Sequence, residues 1–209
     1  MSDNNFKNIK DYSKIIFKGI KRNRIMRQSK KIASMLFTGL ILVLVVLAVL
    51  GTGCTPKTNV RLYFAKYEDN LAYLVPEIRP VINDGDFYKR IVQEIIKGPA
   101  DKQTYPTIPS TVKVNSVTVE NGLAIVDFSK EILKDTQDIP HSSTTERLAI
   151  YSLVDTLTEF KEIQKVRITI EGKQKGMIDG LYIEDFWGHV GIYDDFSRDE
   201  QILTKDTIQ

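Results

Sequence analysis

One cysteine, Cys54, in 209 residues excludes an internal disulfide and a cysteine cage for a metal. Two histidines, His141 and His189, are a thin supply for zinc or for a hydrolase triad. A strong surplus of one charge is also missing, since the formal net charge is +2. That balance hides two unlike parts. Residues 1–31 carry ten Lys or Arg against two Asp, a net of +8, which leaves −6 for residues 32–209. The basic character therefore lies outside the folded part, and a nucleic-acid partner is excluded. A phosphate loop is missing too, because Gly172, Gly176 and Gly180 lack the strand-to-helix setting such a loop needs.

Charge is absent from Ile32 to Leu50, a run of 19 residues. At about 1.5 Å per residue this length can cross a hydrocarbon core of about 30 Å. Lys30 and Lys31 flank it as a cytoplasmic side would be flanked. Gly51, Thr52 and Gly53 then lead into Cys54. Small residues before a cysteine after an apolar segment are similar to the lipobox of bacterial lipoproteins, in which the cysteine is acylated, with palmitate for example, and becomes the mature N-terminus. Leu stands one position further back than that pattern has it, at Leu50, and the run is long for a cleaved signal. Two readings stay open: a lipid anchor at Cys54, or an uncleaved single span. Both tether the remainder to the outer face of the cell membrane. The start stays open as well, between Met1 and a shorter basic start at Met26. The expected organisation is a basic cytoplasmic segment over 1–31, a signal or anchor over 32–53, a tether over 54–58, a domain over 59–175 and a C-terminal extension over 176–209.

Past the tether, VRLYFAKY (60–67) alternates as a strand, with Val60, Leu62 and Phe64 on one side. Glu68, Asp69 and Asn70 make a turn into a second strand over 71–81, where Pro76 and Pro80 mark an edge or an exit. Residues 86–97 place Phe87, Ile91, Val92, Ile95 and Ile96 on one helical face. Asp84 or Asp86 can cap that helix, and Gly98-Pro99 stops it. Residues 112–129 read as two strands around Asn121-Gly122, the pair that favours a type I′ turn. Val112 and Val114 alternate in one phase and Val117 and Val119 in the other, so a bulge is expected near Asn115-Ser116. The near-continuous apolar run LAIVDF predicts a central strand. Ser143 to Glu146 reads as a capping box for a helix reaching about Ile163, and Val166, Ile168 and Ile170 face inward from a last strand. The order β-β-α-β-β-α-β predicts an α+β fold, a small mixed sheet with two helices on one face. Phe186, Trp187 and Tyr193 are expected to fold back on the sheet, and residues 197–209 to be loose.

These patterns, namely VRLYF, a helix ending in IIKGP, the hairpin VNSVTVENGLAIVDFS, the helix RLAIYSLVDTLTEF and the strand VRITIEGK, resemble the GerM domain of sporulation and spore-germination proteins over about residues 60–173. The closing GHV and FSRDE are similar to the way such domains end. The resemblance implies a non-catalytic exported domain with a fold like the ring-building modules of the channel between mother cell and forespore. Those modules pack the sheet of one copy against the helices of the next. Proteins of the family often carry two such domains, and this chain has room for one.

Candidate chemistry is sparse. Asp127, Ser129 and His141 can be imagined as a triad, yet no oxyanion hole or nucleophile elbow accompanies them, and Asp127 is expected to bond backbone at the strand end. His189 reads as a turn residue. Glu184, Asp185, Asp194 and Asp195 lack the spacing of a calcium loop and read as a solvated face. The expectation is no catalytic residue, no metal ligand, no cofactor, and one lipidation site, Cys54. Expected partners are the membrane, other copies of the chain, cell-envelope proteins and peptidoglycan. Alternatives are a ligand-binding lipoprotein with the aromatic tail, Trp187 included, as its pocket, or a cell-wall-associated enzyme unrelated to sporulation.

Overall fold

A computed structural model describes residues 35–42 and 55–203. The chain divides into two units, 1–54 and 55–209. In the first, residues 35–42 form a helix, α1, inside the expected apolar run. The basic flank, the rest of that run and Cys54 lie outside the described residues. Among the described residues no helix is long and apolar enough to cross a membrane.

The second unit begins with β1 (Lys57–Glu68) and β2 (Leu71–Ile82), an antiparallel hairpin closed at Asp69-Asn70. Both turn residues have positive φ, 52° and 63°, which Asp and Asn tolerate better than most side chains. Pro76 and Pro80 lie within β2 and do not end it; β1 is the strand neighbour of β2 on one side, and both prolines lie on the other, edge side, which absorbs the missing N–H groups. Helix α2 (Phe87–Ile96) follows. Asp84 sets its start by an Asx turn, accepting from Asp86 N at 3.0 Å, while Asp86 occupies the cap position without a side-chain bond.

A three-stranded sheet comes next, built from β3 (Val114–Glu120), β4 (Leu123–Phe128) and β5 (Lys165–Ile170) in the order β3-β4-β5. β4 is central, antiparallel to β3 and parallel to β5. The Asn121-Gly122 turn has φ values of 49° and 83°, as a type I′ turn requires. The register slips between Val114 and Ser116, which is the bulge the two valine phases demand. Between β4 and β5 run a short helix α3 (Glu131–Lys134), absent from the sequence reading, and α4 (Ser143–Leu157).

Two boundaries of α4 differ from expectation. Its cap is Ser142: the Ser142 hydroxyl accepts from Thr145 N at 3.2 Å, and Thr145 Oγ1 accepts from Ser142 N at 3.0 Å. Glu146, the residue assigned to that box, is drawn into the interior. The helix ends at Leu157, and turns bonded from Phe160 N to Leu157 O and from Ile163 N to Phe160 O carry the chain to β5.

The α+β class holds, but the single sheet does not. The hairpin forms its own two-stranded sheet, and β6 (Met177–Ile178) and β7 (Leu181–Tyr182) a third. Side chains of α4 stand where a neighbouring strand would bond β1. Tyr63 N donates to Thr156 Oγ1 at 3.1 Å, and Ser152 Oγ donates to Tyr63 O at 2.6 Å. Two residues on, Ala65 exchanges backbone bonds with Tyr105 at 3.2 and 2.8 Å. With that edge occupied, the hairpin packs on the helices instead. One apolar cluster joins Leu62 and Phe64 of the hairpin, Ile91 and Ile95 of α2, Val126 and Phe128 of β4, Ile150 and Leu153 of α4, and Ile168 of β5.

Residues after β7 are more ordered than their composition suggests. Phe196 bridges Val166 through two 2.8 Å backbone bonds, and a 3₁₀ turn at Glu200–Ile202 seats Ile202 and Leu203 on Leu74 and Leu148. Residues 204–209 lie outside the described residues.

Arg79 ties β2 to the end of α2. Its guanidinium donates to Glu77 at 2.6 Å, to Glu94 O at 3.2 Å, to the Glu94 carboxylate at 3.1 Å and to Gly98 O at 2.7 Å, and it lies over the Phe64 ring. Replacing Arg79 by alanine removes the donor from carbonyls at the helix end, at a cost of about 2 kcal/mol. Urea unfolding should record that loss. Lysine should recover less than half of it, because a point charge cannot serve this fork of acceptors; full recovery by lysine would disprove the fork's role.

Candidate interaction surface

Asp127, Ser129 and His141 are not assembled into a site. Asp127 lies on β4, where its carboxylate accepts from Thr169 Oγ1 at 2.8 Å, Gly172 N at 2.6 Å and Asn115 Nδ2 at 2.9 Å. It therefore closes the strand end against backbone, as its position suggested. The Ser129 hydroxyl accepts from Lys113 N at 3.0 Å. His141 places Nε2 3.1 Å from Asp135 O and stacks on Trp187 at 4.4 Å between ring centres. Burial there lowers its pKa below the usual histidine value. Each of the three is committed to a different piece of backbone.

The acidic residues of the tail are separated by their bonds as well. Asp195 forms a fork with Arg167 at 2.6 and 2.9 Å, and this guanidinium lowers the Asp195 pKa. Glu184 accepts from Gly176 N at 2.8 Å, and Asp185 accepts from the Tyr193 hydroxyl. Among the described residues no group of three or more His, Cys, Asp or Glu could hold a metal ion.

What organises the tail is Glu146, which sequence reasoning missed. Its side chain is fully buried and takes three backbone donors, His189 N and Gly191 N at 2.8 Å and Trp187 N at 3.4 Å. Gly191 must be glycine: its φ is +74°, and a Cβ there would stand 2.7 Å from Glu184 O. Trp187 stacks between His141 and Phe186 and donates Nε1–H to Ile132 O at 2.7 Å. It is thus a packing residue, while Tyr193 is 48 % exposed, contrary to expectation. The available signal was a lone acid, Glu146, three and four residues from the apolar positions Ala149 and Ile150 on the helix face.

A cleft of about 820 Å³ opens beside the β1–β2 turn and the start of α4, lined in part by Tyr67, Leu71 and Arg147. Glu68, Asp69, Asn70, Ser143 and Thr144 also line it, and Arg147 is paired with Asp199 at 2.6 Å. The more distinctive surface is the three-stranded sheet. Its inner face is apolar. Its outer face carries Ser116, Thr118 and Glu120 of β3, Leu123 and Ile125 of β4, and Lys165 and Arg167 of β5, with Asp127 and Thr169 buried at one end. Helix α4 offers no comparable face, since ten of its fifteen residues are buried.

The family described as "Germane: Sporulation and spore germination" matches residues 61–176, more than half of the chain. The chain belongs to this GerM-domain family. The spore germination protein GerM of Bacillus subtilis (strain 168) is 25% identical over 111 residues, which cover 51% of this chain and 29% of that protein. The structure of the tandem GerMN domains of the B. subtilis sporulation protein GerM aligns with a TM-score of 0.54 and 21% identity, covering 73% of this chain and 49% of that one. Its first GerMN domain alone aligns at 0.51 and 22% identity, covering 68% of this chain and 98% of that one. The chain thus spans less than a third of its curated relative and about half of the tandem structure. At these identities the structural likenesses establish the GerM fold. The matched span runs from within β1 to the turn after β5 and supplies most of the apolar core, to which Val60, Ile183, Phe186, Trp187 and Ile192 outside it also belong.

Proposed function

We propose that this GerM-domain protein is a membrane-tethered, exported, non-catalytic interaction module acting in spore formation or germination. The observation that carries the reading is the family match across the ordered domain. The geometry is in keeping with it, because the polar side chains that could have done chemistry are spent on holding backbone. The tether is a lipid on Cys54 or a single span over residues 32–53. The partners are other copies of the chain, cell-envelope proteins or peptidoglycan. Ring-type packing of a sheet on a neighbour's helices would find α4 already covered by the chain's own hairpin and tail. The outer sheet face and the β3 edge are therefore the surfaces assigned to partners.

The test is deletion of the gene in its native host, with complementation. The expected result is fewer heat-resistant spores or slower germination, restored by the wild-type gene. Under the lipid reading a Cys54→Ser chain fails to restore, and under the single-span reading it restores fully. Normal spores and normal germination in the deletion strain would overturn the proposal.

A further inference from the structure

Sheet edges in this fold are mostly closed. β1 is bonded by Thr156, Ser152 and Tyr105, β2 is bridged by Leu203, and β5 is bridged by Phe196 and Lys173. Beyond the Leu74 bridge the free edge of β2 carries Pro76 and Pro80, which blunt it, whereas β3 has no proline along its edge. Its bulged start is met by Lys89, whose Nζ donates to Asn115 O at 2.9 Å. From Ser116 to Glu120, no backbone bond from outside the β3–β4 pair is made among the described residues. The two-residue turn at Asn121-Gly122 fixes which groups face outward. Glu120, Thr118 and Ser116 bond β4, so the N–H and C=O of Val117 and Val119 point away from the sheet. This stretch contains neither proline nor lysine, the residues that most often blunt an edge.

Charge decides the occupant. The edge is basic at its start, with Lys89 and Lys113, and acidic at its end, with Glu120. An antiparallel copy of the same strand sets the acidic end of each against the basic end of the other, whereas a parallel copy sets like against like. We propose that two copies of the chain pair through β3, antiparallel, about a two-fold axis at Thr118, making a continuous six-stranded sheet. This rests on the assembly reading above and names its partner as a second copy. Val117 then exchanges backbone bonds with Val119 of the partner subunit, while Thr118 faces Thr118 of the partner subunit in a non-hydrogen-bonded pair, about 4.5 Å between Cα atoms. So short a ladder buries less than the roughly 1,200 Å² of a standard stable interface, so the pairing is weak in solution. Tethering to one membrane raises the effective concentration and makes it sufficient.

The test uses the full chain in its native membranes. Thr118→Cys places a thiol on the axis, within disulfide range of its copy. Lys102→Cys, on an exposed loop, and the wild-type chain with Cys54 alone are the controls. Mild oxidation should give covalent dimer from Thr118→Cys at roughly tenfold the yield of either control. Adding Glu120→Lys should lower that yield, and adding Lys113→Glu to Glu120→Lys should restore it, since the swap re-creates opposite ends. Equal yields from Thr118→Cys and Lys102→Cys overturn the pairing, as does a yield indifferent to the charge swap. Neither result bears on whether deletion impairs sporulation or germination, so failure of the pairing and failure of the functional reading are separable.

Discussion

Replacing Glu146 by alanine is expected to destabilise the domain by on the order of 4 kcal/mol, the largest effect of any single side chain considered. The side chain is fully buried, and three backbone N–H groups converge on it. Alanine fills none of that volume and leaves Trp187 N and Gly191 N buried without an acceptor, and His189 N half-buried without one. The penalty is the desolvation of groups left unpaired, which exceeds the net worth of the bonds themselves. Glutamine should recover part, because its amide oxygen can still accept while its NH₂ faces donors. The chain has one tryptophan, Trp187, within the loop that Glu146 holds. Its emission should therefore shift to the red in Glu146→Ala while the β3–β4 hairpin keeps its hydrogen-exchange protection. An unchanged melting temperature with unchanged emission would remove Glu146 as the anchor of residues 183–192.

How much of this was legible beforehand depended on where periodicity and function in the fold coincide. Strand β4 was readable because Ala124, Val126 and Phe128 are buried on its inner face while Leu123 and Ile125 are half-buried on the other, so the run is apolar nearly throughout. The bulge at Asn115 was readable because a one-residue slip inverts the face of every later side chain, and the valines record that inversion. The separation of the hairpin from the main sheet was not readable. It depends on Ser152 and Thr156 of α4 reaching Tyr63, some ninety residues away in sequence. Local pattern carries no trace of such a pairing. The tail failed for a similar reason. Arg198 and Asp199 look like solvated surface, yet Arg198 donates to Asp155 O at 2.9 Å and to the Tyr63 hydroxyl at 3.0 Å, and its own segment supplies the strap that buries Asp155. Asp127 has the partners of a strand terminator, and no amount of side-chain chemistry at Ser129 changes that geometry.

Asp155 supplies the second large expectation, a stability that declines as pH rises through neutrality. It sits in the last turn of α4, fully buried, where the negative end of the helix dipole already disfavours an anion. One carboxyl oxygen accepts from Asp199 N at 3.0 Å, and the other is buried without a partner. Burial pushes its pKa up to about 7, with Arg198 and the Asp199 N–H opposing and Asp199 and Glu200 adding to the rise. In the unfolded chain the value returns to about 3.8. The folded state thus holds a proton that the unfolded state has released. The associated stability is complete below about pH 4 and is lost as pH rises through 7, at up to about 1.4 kcal/mol per pH unit and about 4 kcal/mol in all. His141 works the other way, since its lowered pKa makes folding more favourable as pH rises toward the ordinary histidine value and adds nothing further above it. Asp179, held low by Lys134 and Lys130, and Asp195, held low by Arg167, contribute only as pH falls below the ordinary aspartate range. Comparing wild type with Asp155→Asn removes all three from the result, because they are common to both. Urea unfolding at pH 5, 6, 7 and 8 should give a difference that grows in favour of Asp155→Asn by several kcal/mol across the series. Hydrogen exchange should place the loss first in residues 196–203, whose Asp199 N–H bonds the ionising group and whose Arg198 offers it a nearby countercharge. Parallel stability curves for the two proteins would mean that Asp155 is ionised in the fold at pH 5, and that Arg198 compensates the charge more completely than their geometry implies.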